Sequence, residues 1–213
     1  MKKCLFVFIV MIIGITSCQK GITDVVDTGN TGGDNNGGDT TVLNALKGSW
    51  NFTSVSANTQ NSVEFTIDGE TDKSLSVTNY TSQNNSGTLV IDDSMFQMNN
   101  YTYTIDTSIE TYTYINDILS DSINVPFTYY VPATNSSAKY HLIGTDSVYF
   151  PEGGFISSSS DSTAFKPYGL KFSITGNILK FTQNIHVDTT VVQSGITQHE
   201  TATGTGTLLF QKP

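Results

Sequence analysis

Arginine is absent from this 213-residue chain, whose ten basic residues are all lysine and are outnumbered by 19 Asp and Glu. A nucleic-acid binder draws its affinity from basic side chains that neutralise phosphate, so a formal charge of -9 argues against that class of partner. The same balance argues against docking on anionic lipid through a basic patch. Cysteine occurs only at Cys4 and Cys18, and tryptophan only at Trp50. Enzyme signatures are missing too: there is no Gly-x-Ser-x-Gly, no His-Glu-x-x-His, no phosphate-binding loop and no closely spaced Cys pair. His141, His186 and His199 are scattered, and lone strand histidines more often face solvent or pack than bind zinc. The run Asp34-Asn35-Asn36-Gly37-Gly38-Asp39 looks like a calcium loop only superficially, because the sixth and twelfth places hold Asp39 and Ala45 where glycine and a bidentate Glu are needed. The expectation is a non-enzyme, with no catalytic residue, no cofactor and no metal.

What is present begins at the amino terminus. Lys2 and Lys3 precede an unbroken apolar run from Leu5 to Ile13, which ends in Ile15-Thr16-Ser17-Cys18. A positive start, a short apolar stretch and a small residue before the cut are the three parts of a secretory signal. The run is also too short for a bilayer, which needs about 20 apolar residues. With Ser17 before the cut and Cys18 after it, the segment resembles the signal of a bacterial lipoprotein. The resemblance implies residues 1–17 as signal peptide and Cys18 as the lipidated terminus, held on the outer membrane of a Gram-negative bacterium by acyl chains such as palmitate. At about 0.8 kcal/mol per buried methylene, two or three such chains anchor a protein almost permanently. Cys4 leaves with the signal, so no internal disulfide is expected.

Residues 18–41 turn to Gly, Asp, Asn and Thr, a composition that cannot form a core and reads as a tether. About 23 flexible residues span roughly 25 to 30 Å, enough to lift a domain off a lipid surface. Residues 42–213 are sufficient for one domain. They alternate with period two at Trp50/Phe52, Val63/Phe65/Ile67, Leu75/Val77, Leu89/Ile91, Tyr101/Tyr103/Ile105, Tyr112/Tyr114, Ile123 to Val131 and Phe172/Ile174, with polar clusters between the runs. The pattern predicts an all-β domain of short antiparallel strands, preceded by one helical turn over Val42 to Lys47 that Gly48 stops. Pro126, inside an otherwise good strand, places that strand at an edge or a bulge. Ser157 to Ser162 reads as a polar loop.

A short helix, then Gly48-Ser49-Trp50, then a strand from Asn51-Phe52, resembles the Gly-x-Trp opening of the lipocalin and wider calycin barrels. The hairpin over 171–181 and the closing run Gly204 to Lys212 are similar to the last strands of lipocalin-like lipoproteins. The resemblance implies an antiparallel β-barrel, with a β-sandwich as the alternative, in which the tryptophan plugs the closed end beneath a cavity for a small apolar or amphipathic ligand. The family's Thr-Asp-Tyr turn and the arginine that packs across its tryptophan have no counterpart in this sequence. Aromatic pairs Tyr101/Tyr103 and Tyr112/Tyr114, joined by Tyr129, Tyr130, Tyr140, Tyr149 and Phe150, either pack across strands or line a binding surface. Trp50, Tyr101, Tyr103, Tyr112 and Tyr114 are therefore the candidate ligand-binding residues of a membrane-anchored monomer. The second reading is an envelope interaction module that binds glycan or a protein partner through exposed tyrosines.

Overall fold

The computed structural model describes residues 40–67, 69–153, 167–193 and 196–213. Cys18, the signal peptide and most of the tether lie outside the described residues, as does the polar run 157–162. The domain is antiparallel β almost throughout, as the alternation requires. One helix, α1 (Thr40–Leu46), precedes the strands β1 (Gly48–Ile67), β2 (Glu70–Thr81), β3 (Gln83–Ile91), β4 (Met95–Ile115) and β5 (Ile118–Lys139). There follow β6 (His141–Ile143), β7 (Ser147–Phe150), β8 (Tyr168–Thr175), β9 (Ile178–Gln193) and β10 (Ile196–Gln211). The helix starts at Thr40, two residues before the predicted turn, and Gly48 leaves it with a φ of +121°.

The strands are far longer than the sequence pattern implies. Runs that read as separate strands fuse: Trp50/Phe52 and Val63/Phe65/Ile67 share the 20 residues of β1, and both tyrosine pairs share the 21 residues of β4. Polar stretches such as Asn58-Thr59-Gln60-Asn61 are paired mid-strand residues with β10 on one side and β2 on the other. At about 3.3 Å per residue, β1 is roughly 65 Å long. β2 and β3 act as one bent strand between β1 and β4, broken by a bulge at 82–87. β4 turns into β5 through Asn116-Asp117, both at positive φ, the tight turn that matches strand twist.

The sheet runs β5, β4, β2/β3, β1, β10, β9, β8, β7, β6. β5 is an edge strand paired with β4, the first of the two placements that Pro126 allows. Its last residue, Lys139, is two positions from the first residue of β6, the opposite edge. Two edges joined by a single residue, Tyr140, must approach each other, so the lower half of the sheet curls around one core. Rings from distant strands meet there: Phe96 lies 4.5 Å from Tyr140, 5.3 Å from Phe150 and 5.7 Å from Phe181, centroid to centroid. Tyr140 belongs to this core and donates its hydroxyl to the Asp92 carbonyl at 2.7 Å.

Only the lower half is built this way. β8 pairs with β9 no further up than Thr182, and β6 and β7 are shorter still. Above that level the described residues form one layer of six strands, β5-β4-β2-β1-β10-β9, whose three hairpin ends all point away from α1.

Candidate functional site

Trp50 seals the base. It is fully buried, its indole Nε1 donates to the Leu46 carbonyl at 2.9 Å, and Lys212 Nζ stands 4.8 Å above its ring. The helix C-terminus thus gains a donor for an unpaired carbonyl, and the last strand is tied back to the first. The space beyond Trp50 is packed with Phe52, Phe210, Phe181 and Phe96, each in contact with the next. Trp50 is a structural plug rather than a surface that a ligand touches.

Strand register decides where the tyrosines go. Residues directly opposite one another share a face, so the residues in line with the core can be followed upward into the six-stranded layer. Along this inner face run Val55, Ala57, Thr59, Asn61, Val63 and Phe65 of β1, with Ile105, Ile109 and Ile115 of β4. Ile123, Val125, Phe127 and Tyr129 of β5 and Ile185, Val187 and Val191 of β9 complete it. Tyr101 and Tyr103 lie at its base, where Phe52 packs edge-on to Tyr101 at 4.6 Å and the two tyrosines are 5.2 Å apart. Tyr80, paired with Ala57, joins them, and Tyr129 stacks on Phe127 at 6.3 Å. Tyr112 and Tyr114 are on the opposite, outer face, in register with Leu75 and Lys73. Tyr112 donates to Glu110 at 2.9 Å beside it. The four candidate tyrosines are therefore two unrelated pairs, because 101 and 103 differ in parity from 112 and 114 along one continuous strand.

Sequence reasoning missed Tyr80, which follows the alternating pair Leu75/Val77 but lies on the other face of the same strand. The rest of the cluster explains its titration. Burial and the neighbouring Tyr103 push the Tyr80 hydroxyl up to about 12, and burial, reinforced by Tyr103 and Tyr80, pushes Tyr101 higher still. Tyr103 is raised chiefly by burial. Tyr101 is 8% exposed, and among the described residues its Oη finds no partner in full hydrogen-bond geometry; the Tyr103 hydroxyl is close enough for a weak, poorly aligned bond. A phenol whose folded pKa exceeds its unfolded value of about 10 contributes stability that is intact below pH 10 and lost above it. We expect the urea midpoint to hold between pH 7 and 9 and to fall as pH rises beyond 10, and Tyr101→Phe to flatten that fall; an unchanged slope in the variant would refute the assignment.

The other candidates stay dispersed. His199 Nε2 pairs with Asp188 at 2.9 Å on the outer face, and His141 and His186 are exposed on other strands. Among the described residues no three His, Cys, Asp or Glu side chains are grouped to hold a metal ion, and no helix is long and apolar enough to cross a membrane. Asp92 caps the β3–β4 turn, where the Ser94 backbone N–H holds its carboxyl below the usual range. An open groove of about 390 Å³ lies beside the bulge, lined by Asn51, Phe52, Asn85, Gly87, Asn99 and Asn100 among others. No family model matches the chain, and neither a curated protein nor a solved structure is similar to it.

Proposed function

We propose that this chain is a non-catalytic, lipid-anchored lipoprotein of the Gram-negative outer membrane with a lipocalin-like domain, which binds an apolar or amphipathic ligand. The binding surface is the inner face at Tyr80, Tyr101, Tyr103 and Tyr129, above the packed core rather than in a cavity over Trp50. The observation that carries this reading is the buried Tyr101 hydroxyl, which among the described residues has at most a poorly aligned bond to Tyr103, set among aromatic rings at the foot of the strand face. A buried hydroxyl left wholly unsatisfied costs roughly 1 to 3 kcal/mol, so a ligand's polar atom in good alignment with a poorly satisfied one would gain part of that. Lipocalin likeness gains support from the base: Lys212 stands over Trp50, so a lysine supplies the cation that the family's arginine supplies. Lipidation rests on Ser17-Cys18 and the apolar run before them.

The test is native mass spectrometry of the full chain from its native source, followed by titration with an uncharged apolar fluorescent probe. A bound mass of a few hundred daltons, or probe uptake reduced at least fivefold by Tyr103→Ala but not by Tyr112→Ala, is the expected result. Equal uptake by both variants would refute the site. The asparagine-lined groove favours a second reading, glycan binding, because amides pair with sugar hydroxyls; its mark would be a co-purifying sugar mass lost in Asn99→Ala.

A further inference from the structure

The six-stranded layer has two unlike faces. The outer face carries Thr197, Thr201, Thr203, Thr205 and Thr207 of β10, with Ser62, Asn58 and Gln60 beside them on β1, and a minority of the exposed apolar side chains, Leu119, Tyr130 and Val192. The inner face carries most of the large apolar side chains that the molecule leaves exposed, including Ile118 at 73%, Ile123 at 55% and Val191 at 52%. A sheet with one apolar and one polar face is built to be covered on the apolar side, and exposed apolar area of this extent marks an interaction surface.

Charge identifies what covers it. Register puts Glu70 and Asp72 of β2, Asp121 of β5 and Glu200 of β10 on the inner face. Every described basic side chain of the layer is on the outer face: Lys73 opposite Glu64, His199 also opposite Glu64, and His186 opposite Thr203. The charged side chains of the inner face are thus all anionic, set among apolar residues and small polar ones such as Thr59, Asn61 and Ser74. A second copy would set four carboxylates against four more in a low-dielectric contact, where like charges repel strongly. Six strands about 4.8 Å apart and some ten residues of about 3.3 Å each give an area of roughly 900 Å², which matches the share of about 800 Å² that each partner contributes to a stable protein interface.

We propose that the inner face docks a cationic amphipathic polypeptide segment, its apolar residues against Ile109, Ile123, Val125 and Val191 and its basic residues against Asp72, Asp121 and Glu200. This rests on the inner face assigned in the proposed function and adds a polypeptide occupant above the tyrosine site. The test uses the purified full chain, a peptide of alternating lysine and leucine, a matched peptide of alternating glutamate and leucine, and the uncharged apolar probe. We expect the lysine peptide to bind at least tenfold more tightly than the glutamate peptide, with affinity falling as salt rises. Asp72→Asn/Asp121→Asn/Glu200→Gln should remove most of that preference, while Lys73→Gln on the outer face leaves it unchanged. Equal binding of both peptides overturns the proposal. Probe binding without peptide binding also overturns it and leaves the ligand site standing, whereas failure of all three ligands removes both readings. Concentration-dependent dimerisation in sedimentation, abolished by Ile123→Asp, would assign the face to a second copy instead.

Discussion

Replacing Trp50 by alanine is expected to cost the domain about 3 to 5 kcal/mol, the range for removing a fully packed large aromatic side chain. Three losses combine at that position. The ring is wholly buried among α1, the first strand and the core aromatics. Its Nε1–H satisfies the Leu46 carbonyl, which would be left without that partner at a helix end. Lys212 would lose the ring that holds the end of the last strand. Urea unfolding followed by far-ultraviolet circular dichroism should show the midpoint shifted with an unchanged slope. Trp50→Phe keeps an aromatic ring and most of the apolar bulk but loses the N–H donor and part of the volume, so it should retain more than half of the lost stability. A loss below about 1 kcal/mol in the alanine variant would mean that the base is not closed by this residue.

The second large effect concerns two glycines that look identical in the repeat Thr203-Gly204-Thr205-Gly206-Thr207. Gly204→Ala is expected to destabilise by about 3 kcal/mol or more, while Gly206→Ala should be neutral or gain a few tenths. A methyl at Gly204 would lie 2.3 Å from the Asn58 carbonyl and 2.9 Å from the Thr59 Cα, both backbone atoms of the neighbouring strand that cannot rotate away. At Gly206 nothing comes within 4 Å. A change of 1 kcal/mol moves Tm by roughly 2 to 4 °C in a domain of this size, so the first variant should melt at least 6 °C lower. Equal melting of the two variants would show that β1 and β10 can part without cost. Because Gly204 stands in the middle of the β1–β10 ladder, its substitution should also blunt ligand uptake on the inner face, which those strands floor.

How the strands divide shows the limit of pattern reading. Period-two alternation at Val63/Phe65/Ile67 or Ile123/Val125/Phe127 is a local property of the backbone, because successive side chains leave opposite faces whatever surrounds them. The all-β class was legible on that ground, and the chemistry of single residues gave the stop at Gly48 and narrowed the strand with Pro126 to an edge or a bulge. Strand length was not. Asn58 to Asn61 look like turn residues, yet they pair on both sides, and turn-like composition loses to two complete ladders of hydrogen bonds. The tyrosines illustrate the same point: Tyr101/Tyr103 and Tyr112/Tyr114 are equivalent as motifs, and only a single unbroken β4 puts them on opposite faces.

By itself the sequence determined what is local or compositional: an antiparallel β domain after a Gly-rich stretch, a lone tryptophan at the head of the first strand, an acidic chain without arginine. The tertiary structure alone decided that the core is packed above Trp50, that Lys212 covers it, that Tyr80 joins Tyr101 and Tyr103, and that carboxylates share a face with the exposed apolar residues while lysine and histidine take the other. These are matters of register between strands as much as 160 positions apart, as with Asn51 and Gln211. A register shift of one residue would exchange the faces of a whole strand, and that choice is made by the summed packing of the core rather than by any short stretch of chain.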